Sequence, residues 1–324
     1  MGRQGIVSGD YYGDRIFHDR ISFAQGAAGA GLSFIKKDTQ IWYVDSGKTS
    51  PAVSGDGLTW EGAFMTLAEA VDAAGAHDTI LVAPNDIETI ATGGIEINQE
   101  GLRILGPLAD KGLNNAAFKI DAGTSPMFTI LADRVEIAGL HLSCRIGYPA
   151  ICIGSVADGV GTAIYETHIH DCNITGYGSA DFGVAMGGAG GFGVKTQCDA
   201  VNAVIANNLF TGFTSAAVVV SGSRMVVKNN EFNVPVDTTG VIVVETGSDR
   251  GYWSVNDNLF VGIDGTSSYG IEFAGNTTAG QGQVIRNLFA GTWDASIGLN
   301  TGYPGVENYE AADTGVGHID CNGT

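Results

Sequence analysis

Five short stretches in the second half of the chain repeat one alternation of polar and hydrophobic positions. They are His170-Asp171-Cys172-Asn173-Ile174, Asn207-Asn208-Leu209-Phe210, Asn229-Asn230-Glu231-Phe232, Asp257-Asn258-Leu259-Phe260 and Arg286-Asn287-Leu288-Phe289. With Cys172, Asn208, Asn230, Asn258 and Asn287 as equivalent anchors, the steps are 36, 22, 28 and 29 residues. Such irregular steps suit a coil with fixed strands and loops of variable length. Three positions before each anchor stand Ile169, Ile205, Val227, Val255 and Val284; two positions after stand Ile174, Phe210, Phe232, Phe260 and Phe289. The two apolar columns are five residues apart, and a flat strand of period two cannot turn both inward. The chain therefore bends at the anchor. Asn suits a bend because it tolerates left-handed backbone and its amide can bond the same turn of the next coil. Asn208, Asn230, Asn258 and Asn287 are thus expected to form an internal ladder, with Phe210, Phe232, Phe260 and Phe289 beside it.

A second strand family runs in step with the first: Gly193-Val194-Lys195-Thr196, Ala217-Val218-Val219-Val220, Gly240-Val241-Ile242-Val243, Gly270-Ile271-Glu272-Phe273 and Ser296-Ile297-Gly298-Leu299. Its inward columns read Val194, Val218, Val241, Ile271, Ile297 and Thr196, Val220, Val243, Phe273, Leu299. Strands that repeat in register, turn after turn, predict an all-β fold, a parallel β-helix whose coils pair only with their neighbours. The alternative, a β-sandwich, does not readily produce like-on-like columns. Upstream, Phe64, Leu67, Ala68 and Val71 fall at i, i+3, i+4, i+7 and predict a short amphipathic helix within 61–74, with Thr59 as N-cap. Laid across the first coil, this helix would cover an open hydrophobic end and a strand edge.

The opening segment carries a family resemblance. The residues are Tyr43-Val44-Asp45-Ser46, then Asp56-Gly57-Leu58-Thr59-Trp60, Phe64, Leu67, Ala70, Val71, Ala74 and Asp78-Thr79-Ile80 with Val82. The string resembles the N-terminal end of the pectate-lyase-like right-handed parallel β-helix superfamily, and the likeness extends over about residues 41–300. That superfamily holds polysaccharide lyases and hydrolases, epimerases, and bacteriophage spike, fibre and head-decoration proteins. The resemblance implies the fold and leaves the chemistry open. The expected organisation is an N-terminal attachment arm at 1–40, a β-helix with its capping helix at 41–305, and a C-terminal cap or tail at 306–324.

Composition narrows the partners. Lys+Arg 16 against Asp+Glu 35 gives a net charge of −19, which repels phosphate backbones and anionic membrane surfaces. Nucleic acid and membrane insertion are therefore not expected. The 49 glycines and a charged fraction of 16% suit a turn-rich strand protein rather than long helices. Met1-Gly2-Arg3-Gln4 opens with no apolar h-region, so no signal peptide is expected and folding in a host cytoplasm is. Cys144, Cys152, Cys172, Cys198 and Cys321 form no CxxC pair and read as buried reduced thiols, with a disulfide framework or zinc site as the alternatives.

The search for chemistry runs along the outward columns. Hydrolysis of a glycan needs two carboxylates ~5–10 Å apart. The column Lys195, Val219, Ile242, Glu272, Gly298 supplies only Glu272, and no acidic pair recurs on adjacent coils. The catalytic candidates are Asp171, Glu272 and His170; His168, His170, Asp171 and the loop residue Asp181 are spaced for a His–Asp site or a metal pair, or are polar surface residues of a coil. Glu245, Asp249 and Asp257 are the candidate Ca²⁺ ligands, and no other cofactor is expected. Gly187-Gly188-Ala189-Gly190-Gly191 lacks the Lys-Ser/Thr of a phosphate loop and reads as a flexible loop. Outward Val219, Ile242, Val204, Val226 and Ile285 mark a contact face and suggest a homotrimer. The function expected is that of a structural virion protein of a tailed bacteriophage (head decoration, fibre or spike). It would join other virion proteins through residues 1–40 and display the β-helix, with a host surface glycan as a further partner. The alternatives are a polysaccharide-degrading tailspike, lyase or glycoside hydrolase, and a bacterial surface adhesin.

Overall fold

The computed structural model describes residues 39–49, 53–84, 87–107, 116–119, 125–144, 148–155, 162–176, 192–197, 199–213, 216–234, 240–245, 252–262, 269–274, 282–291, 295–298, 305–306, 308–312 and 315–319. Each full coil contributes one strand to each of three parallel sheets. In the coil around the first anchor, Ile151–Ile153 lies in sheet 1, His168–His170 in sheet 2 and Asn173–Thr175 in sheet 3. Sheet 1 has eight strands and sheets 2 and 3 have ten each. Pairing is parallel throughout except at the end of sheet 3, where Asn308–Ala312 pairs antiparallel with Gly315–Ile319. A two-stranded extension pairs Ile164–Tyr165 with Ala200–Val201 just ahead of sheet 2. Among the described residues no helix is long and apolar enough to cross a membrane.

Like residues stack because the register is exact from coil to coil. In sheet 2 the inward column runs Ile80, Ile104, Ile137, Ile169, Ile205, Val227, Val255, Val284. In sheet 3 Phe210, Phe232, Phe260 and Phe289 are fully buried and stacked, with centroids 4.9, 4.8 and 4.6 Å apart. That spacing matches the distance between paired strands, so the backbone ladder itself sets the ring stack.

The bend between sheets 2 and 3 holds the expected ladder. The backbone N–H of Asn208 donates to Oδ1 of Asn230, that of Asn230 to Asn258 and that of Asn258 to Asn287, at 2.9, 2.9 and 3.0 Å. Each Nδ2 also donates to the next Oδ1, while Cys172 starts the series by donating its N–H to Asn208. The left-handed residue, however, is the one before the anchor: Gly139, Asp171, Asn207, Asn229, Asp257 and Arg286 all have φ between 53° and 68°. The anchor's amide must point inward to reach its neighbours, so the residue that turns the chain is the one before it. A second left-handed column precedes sheet 2 at His77, Gly101, Arg134, Glu166, Asn202, Arg224 and Tyr252. The two corners bracket five successive sheet-2 strands, from Glu136–Ala138 to Trp253–Asn256, and their side chains form two outer ridges.

Three sequence expectations are corrected. The helix spans Leu67–Ala73, and its N-cap is Thr66, paired with Glu69 in a capping box. Thr59 instead closes a turn by accepting from the Gly62 N–H, and Phe64 bridges to Val44 ahead of the helix. The helix buries Leu67, Ala70 and Val71, whereas Ala68 is exposed. In sheet 1, Ile242 rather than Val241 shares the column of Val218 and Ile271, and Val243 shares that of Val219 and Glu272. Ile242 is therefore inward and fully buried, and Val219, although on the outer face, is only 2% exposed. The thiol expectation, by contrast, agrees with the structure: Cys144, Cys152 and Cys172 are buried and free, and burial pushes Cys144 and Cys172 up to about 12. Cys198 and Cys321 lie outside the described residues.

Candidate functional site

The outer face of sheet 2 is a strip between the two ridges. One of its columns reads Thr79, Arg103, Glu136, His168, Val204, Val226, Ser254, Gln283; the other reads Leu81, Leu105, Ala138, His170, Ala206, Lys228, Asn256, Ile285. Two polar networks lie on this strip. Between them Val204 and Val226 are half-buried and Ala206 is buried.

The first network joins three consecutive coils. His170 Nε2 lies 3.0 Å from Glu136 Oε1, and its Nδ1 lies 2.7 Å from Asp171 Oδ2. Glu136 in turn accepts from Arg103 Nε at 2.6 Å. The bond from His170, assisted by Arg103 and opposed by burial, lowers Glu136 to about 2. Reciprocally, Glu136 first and then Asp171 raise His170 above its ordinary value, against its burial. His168 sits on the same face with its ring centroid 4.4 Å from that of His170. Desolvation, and then the neighbouring His170 charge, hold His168 below its ordinary value. The face therefore pairs an imidazole whose charged form is favoured by two carboxylates with one whose neutral form is favoured. Along the leading ridge Arg134 adds an ion pair with Glu100.

The second network lies at the other end of the strip. Gln283 Nε2 donates to Ser254 Oγ, Ser254 Oγ donates to Asn256 Oδ1, and Asn256 Nδ2 donates to Asp257 Oδ2. Arg286 donates to both Asp257 oxygens at 2.7 Å, and this pair leads the lowering of the Asp257 pKa.

The structure brings together His170, Asp171 and His168 and adds Glu136 and Arg103, which the sequence reading missed. Glu136 lies in a coil without the Asn-x-Phe mark, where Gly139-Leu140 replaces the usual corner and anchor. Glu272 stands apart from this group. It lies on the outer face of sheet 1, four coils further on, about 19 Å along the axis at ~4.8 Å per coil. Its register neighbours are Val243 and Gly298, and burial raises its carboxyl above the ordinary value. Of the candidate Ca²⁺ ligands, Asp257 is engaged by Arg286, and Glu245 ends the sheet-1 strand Gly240–Glu245. Asp249, Asp181 and the stretch 187–191 lie outside the described residues. Among the described residues no group of three or more His, Cys, Asp or Glu side chains is arranged to hold a metal ion.

Solved structures share this architecture. A pectin methylesterase in complex with a hexasaccharide superposes with a TM-score of 0.55 at 13% identity, covering 84% of this chain and 90% of that one. The pectin methylesterase PemA of Erwinia chrysanthemi gives 0.51 at 14% identity, covering 79% and 81%. That of Aspergillus niger gives 0.51 at 13%, covering 86% and 88%. No protein-family model and no curated protein sequence matches the chain. At such identities the likeness concerns the fold alone. The fold is the right-handed parallel β-helix, in agreement with the resemblance read from residues 41–300.

Proposed function

We propose that this chain is a glycan-recognising display β-helix and that the outer face of sheet 2 is its contact surface. The carrying observation is the concentration of cations there: of the eight Lys and Arg whose side chains are described, Arg103, Arg134, Arg224, Lys228 and Arg286 all lie on this strip or its ridges. Arg103, Arg134 and Arg286 are paired with Glu136, Glu100 and Asp257, so in a chain of net charge −19 it is Arg224 and Lys228 that make this face locally receptive to an acidic or hydroxyl-rich ligand. The fold neighbours add indirect support, since one of them is a pectin methylesterase in complex with a hexasaccharide. Display on a tailed-phage particle, held through residues 1–40, is the finer part of the reading. It rests on the Gly/Ala-rich arm and the acidic, low-charge composition. Self-association as a homotrimer belongs to the same reading.

Binding is favoured over bond cleavage. Glu136 stays ionised to about 2 and is tied to both His170 and Arg103, which suits neither a general acid nor a free nucleophile. A lyase or hydrolase remains the second reading, because Glu136 and Asp171 flank one imidazole. A panel of capsular and cell-wall glycans tests both readings. Retention of a glycan without release of reducing or unsaturated ends supports recognition. Release of such ends that is lost in Asp171→Ala or Glu272→Ala would replace recognition with catalysis. For the arm, a chain lacking residues 1–40 should fold but no longer join its particle; continued incorporation would remove the anchoring role.

A further inference from the structure

We propose that Tyr252, Arg224, Lys228, Ser254 and Asn256 form a binding subsite for an anionic pyranose, a sugar ring bearing a carboxylate or sulfate; this rests on the glycan-recognition reading above. Tyr252 occupies the left-handed corner ahead of sheet 2, with φ 67° and 72% exposure, the highest among the exposed large hydrophobic residues described. Neither property serves folding. A ring on a left-handed residue is conformationally costly, and an exposed ring gains little burial. Asn202 fills the equivalent corner two coils earlier. The next residue, Trp253, points inward at 4% exposure, and its indole lies across Gly282, where a Cβ would come within 2.2 Å of the ring. The corner that carries Tyr252 is therefore fixed from inside while the phenol faces solvent.

The surroundings define the ligand. Arg224 is the same corner one coil earlier, and Lys228 is the register partner of Asn256. The two cations thus lie one strand spacing from the Tyr252 corner and from Asn256. Among the described residues neither is within ion-pair distance of a carboxylate, whereas Arg103, Arg134 and Arg286 all are. Lys228 acts on Asp257 only at longer range, and two cations without a close carboxylate in so acidic a chain point to an anion supplied from outside. Ser254 and Asn256 are already aligned by the bonds from Gln283 and to Asp257; after these bonds Ser254 keeps an acceptor position, and Asn256 a donor and an acceptor position. An exposed aromatic face for the apolar side of a pyranose, an oriented hydroxyl and amide for its hydroxyls, and two cations for its charge together describe one ligand class.

Calorimetric titration of the full chain at low salt with polygalacturonate, dextran sulfate and neutral dextran tests this. The expected result is binding of an anionic polymer and not of dextran. Tyr252→Asn and Arg224→Gln should each weaken it by about tenfold or more. Binding of polygalacturonate alone assigns a carboxylate, of dextran sulfate alone a sulfate, and of both the charge class. Tyr252→Asn should also unfold at the same or a higher denaturant midpoint, because a residue suited to the corner replaces a strained one. A lower midpoint accompanying the loss of binding would make Tyr252 structural and overturn the subsite. Equal binding of dextran, or anionic binding indifferent to both variants, would overturn the subsite while leaving glycan recognition in place. Binding of none of the three polymers would remove both.

Discussion

A buried amide between two others has four bonds to satisfy. Asn230 Oδ1 accepts from the N–H and the Nδ2 of Asn208, while its own Nδ2 donates to the Ile205 carbonyl and to Asn258 Oδ1. Alanine there would strand the Asn208 N–H and one hydrogen of the Asn208 side-chain amide in a dry interior. Each stranded group costs ~1–3 kcal/mol, so Asn230→Ala should lower unfolding stability by about 3 kcal/mol. Asn230→Asp should do no better, since it sets an oxygen against two acceptors. Urea unfolding measures both, and a loss below about 1 kcal/mol for the alanine would show that the ladder contributes little beyond shape. The ladder was legible because Asn recurs as a letter. The left-handed corner was not, because Gly139, Asp171, Asn207, Asn229, Asp257 and Arg286 share a conformation and no side-chain type. Tyr252 escaped notice for the same reason: its significance is a backbone angle.

At the scale of elements, the end of the β-helix is closed by an exchange between a strand and the helix. Glu88 occupies the sheet-3 column that later holds Phe118 and the phenylalanine stack, since Glu88 pairs with Phe118 in register. Both of its oxygens accept from the Leu67 N–H, at 3.1 and 2.9 Å, at the start of the helix. At 8% exposure, desolvation raises its pKa to about 7, against the Leu67 bond. A carboxyl whose folded pKa lies above its ordinary value binds more protons in the native state, so stability falls as pH rises from about 4.5 to about 7. Glu88→Gln keeps one acceptor for Leu67 and cannot ionise. It should equal the wild type near pH 4 and exceed it at pH 8, with a ceiling of about 3 kcal/mol from the shift. Parallel pH profiles of the two proteins would assign the buried charge no role. The Thr66–Glu69 capping box was readable in sequence, yet Thr59 took its place because a hydroxyl ahead of an apolar stripe fits either site. Likewise the run Val241-Ile242-Val243-Val244 has no alternation, so nothing in it distinguished the true register from a slip of one. Glu136 was missed because partners of a coil residue lie 34 positions away, and only aligned coils reveal them.

The whole molecule sets two interactions against each other through its net charge of −19. Of the apolar outward residues that suggest a trimer, Val204, Val226 and Ile285 remain half-buried on the strip, while Ile242 faces the core and Val219 is buried. Three such chains brought together repel one another, and only apolar contact offsets that repulsion. Val226 and Ile285 are the register neighbours of Ser254 and Asn256, so a trimer held there would cover the sugar subsite and compete with the glycan. Screening shortens the reach of like charges to ~8 Å at 0.15 M ionic strength, so such a trimer should tighten as salt is added. An anionic glycan held at Arg224 and Lys228 should instead be released by the same salt, because there the charges attract. Light scattering across a salt series, run beside the glycan titration, reads both signs on one sample. Trimer mass that grows with salt while glycan affinity falls is the expected pattern. A monomer at every salt concentration would remove the trimer and leave the strip of sheet 2 open along its length. A trimer that dissociates with salt would mean that the chains meet through charge, and the unpaired cations at the Tyr252 corner would then belong to the interface rather than to a sugar.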